Sequence, residues 1–269
     1  MTFEQPHAVD TDHPSAARGY DYFLGGSSNF AVDREFAEQV RRIAPSVPAV
    51  ALLNRAFLRR VVHYMLDQGI RQFLDLGSGI PTGGNVHQIA GAAAPDARVV
   101  YVDNEAVAYH HAKVLLRDNP NATILQADIR DPLAILDDPE TRRLLDFDRP
   151  IGLLVVGVLL FIADADDPAG MIATYRDRLA PGSLLAISTL TDEPADDDLK
   201  AEVARLRAAY AAAGEHVHVR DRAAILPWFN GMRLVEPGLT LLPDWHPDEG
   251  DDRASTAYPL GYGGVARIG

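Results

Sequence analysis

The chain has 269 residues, 47% hydrophobic and 23% charged, which predicts one large domain with appendages built on one substantial core. It contains no cysteine, which excludes disulfides, thiolate metal sites and a cysteine nucleophile. A formal net charge of −13 at pH 7 repels phosphate backbones, so broad nucleic-acid binding is disfavoured.

Residues 1–17 are polar, carry Pro6 and Pro14, and lack the apolar core of a secretory signal, so they read as a loose tail. ARGYDYFLGGSSNFAVDREFAEQV (17–40) is aromatic and glycine-rich at first, then helix-like. SVPAVALLNRAFLRRVVHYMLDQG (46–69) reads as a helix capped by Ser46 and ended by Gly69. Its Val50, Leu53, Phe57, Leu58, Val61, Met65 and Leu66 recur at helical spacing. From residue 71 strands and helices alternate. The strand candidates are 71–77, 97–103, 122–128, 151–161 and 182–189, continuously apolar as expected of parallel strands covered on both faces. Helix candidates lie between them at 84–94, 105–118, 132–145 and 168–180. A charged helix (196–214) follows, read as a solvated face rather than a substrate lid, then a shorter helix around 221–229. Two late strands are placed near MRLVEPGLTLL (232–242) and YGGVARI (262–268), with PDWHPDEGDD (243–252) as an exposed loop between them. The pattern predicts an α/β doubly wound sheet of seven strands, five parallel plus an antiparallel pair. Residues 1–45 form an amino-terminal helical extension and possible lid, and 46–269 the main domain. The longest strongly apolar run, 151–163, is too short to span a bilayer, so a cytoplasmic protein is expected.

The loop after the first strand reads Gly77-Ser78-Gly79-Ile80-Pro81-Thr82. A dinucleotide fingerprint wants a third glycine where Thr82 stands. Asp75, just before the loop, opposes a pyrophosphate and welcomes an ammonium. S-adenosylmethionine (SAM) carries an α-amino group and a sulfonium and no phosphate, so the loop suits SAM better than NAD. Asp103 ends the second strand and can accept from both ribose hydroxyls. Asp128 ends the third and can accept from the adenine amino group. A single strand-end aspartate more often terminates its strand or caps the next helix. Three in series along one sheet edge favour a cofactor site.

These residues, with the amino-terminal segment, resemble a family of class I SAM-dependent methyltransferases found mostly in actinomycete bacteria. The resemblance runs through ARGYDYFLGGSSNFAVDR (17–34), NRAFLRR (54–60), QFLDLGSGIPTGGNVH (72–87), VVYVDNE (99–105), ADIRDP (127–132), LAPGS (179–183) and LVEPG (234–238). It implies the seven-stranded, Rossmann-like methyltransferase fold and SAM as cofactor, and supplies no substrate. One departure stands out: relatives read V-x-x-L-H after the fourth strand, and here Leu160 takes the histidine position.

The cofactor-binding set is therefore expected to be Asp75, Gly77, Ser78, Gly79, Asp103, Asn104, Asp128 and Ile129. Tyr22 and Arg18 would join it if the amino-terminal segment folds over the pocket, Tyr22 near adenine or sulfonium and Arg18 on the methionine carboxylate. The same segment can equally be an extension that packs on the sheet through its aromatics. Arg55 can also reach that carboxylate, although a surface role is the more ordinary one for a helix arginine. His216 and His218 alternate as on a strand and read as structural or surface residues. No histidine spacing suits zinc. Methyl transfer from SAM is an in-line displacement that chiefly needs alignment, with a base only for a protonated acceptor. No Asn-Pro-Pro-aromatic motif points to adenine or glutamine amino groups. The expected activity is methyl transfer to a small-molecule oxygen or nitrogen acceptor, with no assignable base. The rivals are a non-catalytic SAM-binding sensor or partner module, an NAD-dependent oxidoreductase, and a synthase using decarboxylated SAM.

Overall fold

The computed structural model describes residues 10–81, 83–248, 255 and 257–269. Most of the expected amino-terminal tail, Thr82 and the end of the 243–252 loop lie outside the described residues. Ser15, whose Oγ accepts from the Arg18 backbone, caps α1 (Ala16–Phe23). There follow α2 (Ala31–Ile43) and the long α3 (Val47–Asp67), which begins with a proline in its first turn as helix starts tolerate. Then come β1 (Gln72–Leu76), α4 (Val86–Ala93), β2 (Arg98–Asp103), α5 (Ala106–Leu115) and β3 (Ala122–Gln126). The chain continues through α6 (Pro132–Leu136), α7 (Pro139–Leu144), β4 (Gly152–Val156), α8 (Pro168–Arg176), β5 (Leu184–Leu190) and α9 (Asp197–Ala212). It closes with α10 (Arg222–Ile225), β6 (Met232–Leu234), β7 (Thr240–Leu241) and β8 (Gly261–Ile268).

The sheet runs β3-β2-β1-β4-β5-β8-β6, parallel from β3 to β5, with β8 antiparallel to β5 and β7 also paired to β8. Alternate residues of each parallel strand feed opposite cores, as the pleat requires. Leu74, Leu76, Val100, Val102, Leu153, Val155, Leu185 and Ile187 face α6, α7, α8 and α10. Phe73, Val99, Tyr101, Leu154, Leu184 and Ala186 face α3, α4 and α5. A third apolar cluster joins α2, α9, the end of β5 and Leu260. Among the described residues no helix is long and apolar enough to cross a membrane.

Four expectations need correction. Among the described residues the sheet has eight strands because the 232–242 segment pairs with β8 twice, through Met232–Leu234 and again through Thr240–Leu241. Pro237 and Gly238, the latter at φ 90°, turn the chain between the two. Segment 151–161 is not one strand: Gly157 at φ 74° ends β4 and Leu159–Phe161 form a 3-10 turn. Segment 132–145 is two helices, since Pro139 cannot continue the first and Asp138 caps the second by accepting from Glu140 N at 2.8 Å. Finally, Trp245 in the expected exposed loop is fully buried, edge-on to Phe57 and Tyr64, and Arg60 Nε donates to its carbonyl at 2.9 Å.

Candidate functional site

The carboxyl ends of the parallel strands open onto a cavity of about 560 Å³, within the size range of small-molecule sites. Asp75, Gly77, Ser78 and Gly79 from the β1 end, Asp103 and Asn104 from the β2 end, and Asp128 and Ile129 beyond β3 all line it. The local fold of the glycine loop explains its composition. Gly77 N and Ser78 N both donate to Val102 O, at 2.8 and 3.1 Å, which pins the loop against β2. Gly77 sits at φ 69°, and a Cβ there would meet Val158 Cγ2 at 2.4 Å, so no larger residue fits. Gly79 N donates to Asp103 Oδ2 at 2.7 Å and Glu105 N to Asp103 Oδ1 at 2.9 Å.

Capping, the ordinary alternative role for strand-end aspartates, falls to other residues. Glu105 caps α5 by accepting from Ala108 N, and Asp131 caps α6 by accepting from Ala134 N. Asp75 and Asp103 are each only 6% exposed. Burial pushes the Asp75 carboxyl up to about 7, opposed by the Arg55 charge and reinforced by Asp103. Burial likewise raises Asp103 to about 6, against hydrogen bonds from the Glu105 and Gly79 amides. Two buried, hard-to-ionise acids at one cavity wall form a site that gains from a cation. Asp128 differs: its hydrogen bonds from Arg130, at 2.6–3.0 Å, hold it below the usual carboxylate range. The Ile129 carbonyl accepts from Tyr175 Oη at 2.9 Å, which fixes the backbone beside Asp128.

Tyr22 and Arg18 are not brought to this cavity. They lie four residues apart on α1 and share a face, whereas Ala16, Tyr20 and Phe23 line the cavity from the opposite one. Tyr22 Oη donates to Glu38 Oε1 at 2.6 Å. Arg18 is 1% exposed, and its Nε donates to Asp33 Oδ2 (2.7 Å), one terminal nitrogen to Glu105 Oε1 (2.8 Å) and the other to His13 O (2.7 Å). Its donors are taken up in docking the amino-terminal helices onto the β2–α5 junction.

Residues passed over or placed on the surface from sequence take those positions. Tyr20 Oη donates to Ala51 O at 3.1 Å and accepts from Asn54 Nδ2 at 3.2 Å, while Ser188 Oγ donates to Asn54 Oδ1 at 2.5 Å. Gly157, at the end of β4, leaves room for Asn54: a Cβ there would meet Asn54 Nδ2 at 2.6 Å. Arg55 is half-buried and lines the cavity with Asp75 rather than pointing into solvent. The helical spacing Ala16–Tyr20–Phe23 was the available signal for Tyr20. For Arg55 the sequence offered the carboxylate role beside a more ordinary surface one, and only the docking of α3 across the strand ends defines its face. His216 and His218 lie in no strand; both line the cavity, and His218 N donates to Leu160 O at 2.7 Å. The expected solvated helix, α9, turns Glu202, Val203, Leu206 and Tyr210 to the cavity. His87 lies outside the main cavity, with its amide and Nδ1 both on Tyr101 Oη at 2.8 Å. Among the described residues no group of His, Asp and Glu is arranged to hold a metal.

A family model described as S-adenosyl methyltransferase matches residues 2–269. Among solved structures, a DUF574 family protein from Streptomyces avermitilis is similar at 38% identity and a TM-score of 0.92, covering 97% of this chain and 100% of that one. A Thermobifida fusca protein is similar at 36% identity and a TM-score of 0.89, with 99% of each chain covered. A Burkholderia thailandensis 1,6-didemethyltoxoflavin N1-methyltransferase, solved with that substrate and S-adenosylhomocysteine, shares the fold at 15% identity and a TM-score of 0.51, over 98% of this chain and 99% of that one. No curated protein matches.

Proposed function

The chain belongs to the S-adenosyl methyltransferase family, and on that premise we propose that it transfers the SAM methyl group to a small-molecule oxygen or nitrogen acceptor in the cytoplasm. The observation that carries the reading is the convergence of the glycine loop and three strand-end carboxylates on one cavity. The donor set suits a cation without phosphate. Asp75 and Asp103 are buried acids that a positive ligand would stabilise, and a pyrophosphate against them would be repelled.

In this reading Asp75 holds the ammonium of the methionine moiety, and Arg55, on the same wall, holds its carboxylate. Asp103, already oriented by two backbone amides, accepts from the ribose hydroxyls. Asp128 and the backbone at Ile129 border the adenine. Bound SAM supplies an activated methyl group. The protein's own task is to exclude water and orient the acceptor behind that group. Tyr20 and Phe23 of α1 cover the cavity, which supports a lid role for the amino-terminal extension. Leu160 gives no base at the fourth strand, which suits an acceptor that attacks as a neutral amine or an already deprotonated oxygen.

Calorimetric titration with SAM and separately with NAD, repeated on Asp103→Ala, tests the reading. Tight SAM binding that the substitution abolishes supports it. NAD binding in place of SAM would overturn it.

A further inference from the structure

Beyond the strand ends the cavity continues into an arm walled by Val47 and Val50 of α3, by Phe161, and by Val203, Leu206 and Tyr210 of α9. The Phe161 and Tyr210 rings lie 6.2 Å apart and tilted by 41°, with Phe36 edge-on behind Tyr210 at 5.1 Å. Walls of this kind suit a planar apolar ring.

The arm's charges are one-sided. The cationic side chains among the described lining residues, Arg55 and Arg130, both sit at the strand-end half, beside Asp75 and Asp128. The arm instead carries Glu202, His216 and His218, and Glu215 lies between it and a second hollow shared with Arg18, Asn104 and Asp128. Burial, with the nearby Arg220 charge, holds His218 below the usual histidine range, so it is neutral at neutral pH. Glu202 is 8% exposed; its Oε1 accepts from Ser46 N at 2.7 Å, and its Oε2 has no hydrogen-bond partner among the described residues. Glu202 thus stands at the amino-terminal end of α3 with its second oxygen unengaged at the cavity wall, where an N–H donor can meet it. The role at the start of α3 uses Oε1 and the positive end of that helix, and it leaves Oε2 to meet a ligand.

We infer that this arm is the methyl-acceptor site, and that it takes a small aromatic molecule carrying an amine whose N–H groups bind Glu202 Oε2. This rests on reading the strand-end half as the SAM site. An anionic acceptor of the same shape meets Glu202 and Glu215 on the cavity wall, whereas Arg205, Arg207 and Arg220 are off that wall, each donating to a backbone carbonyl, at Ile43, Val217 and Leu159 respectively.

The test titrates 2-phenylethylamine, 2-phenylethanol and 3-phenylpropanoate into protein saturated with S-adenosylhomocysteine. The amine is expected to bind about tenfold tighter than the alcohol or the acid. Glu202→Gln should bring the amine down to the level of the alcohol and leave S-adenosylhomocysteine affinity within about twofold. The ranking on the unaltered chain decides the matter even if the variant fails to fold. Equal or tighter binding of the acid, binding of none of the three probes, or an amine preference that survives Glu202→Gln overturns the inference. Failure of S-adenosylhomocysteine to bind would remove the cofactor assignment and this inference together. Its binding with the wrong ranking would remove this inference alone.

Discussion

Asp75 illustrates how one buried carboxyl links stability to ligand binding. Its pKa of about 7 in the folded chain, against an ordinary 3.8, means the folded state holds the proton more tightly than the unfolded one. Stability therefore falls as pH rises from the ordinary value through 7, and above 7 the ionised group is a burden on the unliganded fold. Asp75→Asn should raise the unfolding free energy at pH 8 by about 1–3 kcal/mol, with the gain vanishing below the unfolded pKa. The same variant should lose SAM affinity, a trade that scanning calorimetry and titration would show together. Binding a cation to ionised Asp75 also expels its proton. SAM affinity should weaken by about tenfold per pH unit below 7. Asp103 should steepen that loss below its value of about 6. Calorimetry in buffers of different ionisation enthalpy would count the released protons, and a pH-independent affinity would refute the linkage. Residues of this kind were legible in sequence, because a carboxylate at a strand end beside a glycine loop is a local pattern. Arg55 stayed between two roles, since its side of α3 acquires meaning only from the helix that crosses the strand ends.

At the scale of elements, α1 and α2 are fastened to the sheet by one buried cluster. Arg18 joins Asp33 of α2 to Glu105, which itself caps α5. Arg18→Ala would leave Asp33, which has no exposed surface, as an uncompensated buried charge. The expected cost is about 3–5 kcal/mol. It should be local: hydrogen exchange should accelerate across 16–43 while β1, β4 and β5 keep their protection. Uniform loss of protection would show instead that the extension is part of the core. The glycine loop is a second such joint. Gly77→Ala adds a methyl at φ 69° against Val158 and should destabilise by about 2 kcal/mol or more, read as a lower denaturant midpoint. The parallel strands and their helices were readable from apolar runs and turn residues. The breaks within runs were harder, because Gly157 ends β4 through a close approach to Asn54, a residue about a hundred positions earlier that sequence spacing does not bring near.

The described residues form three apolar clusters, two on the faces of the sheet and one closing over its carboxyl end, and the cavity touches the junction of all three. The cofactor half was legible because charge and glycine alternate at fixed places along a parallel sheet. The acceptor half was not, because it is assembled from residues 44–50, 160–161 and 202–218, which converge only through tertiary packing of α9 on α2. This arrangement makes ligand binding a global event. A ligand at one hundred times its dissociation constant stabilises by about 2.7 kcal/mol. For a chain of this size that is a rise in Tm of about 5–10 °C. S-adenosylhomocysteine should produce that rise as one sharpened transition, with slowed exchange in α1, whose Tyr20 and Phe23 line the cavity wall. NAD at the same concentration should produce none. Protection of α4 and the glycine loop without α1 would mean that α1 does not act as a lid.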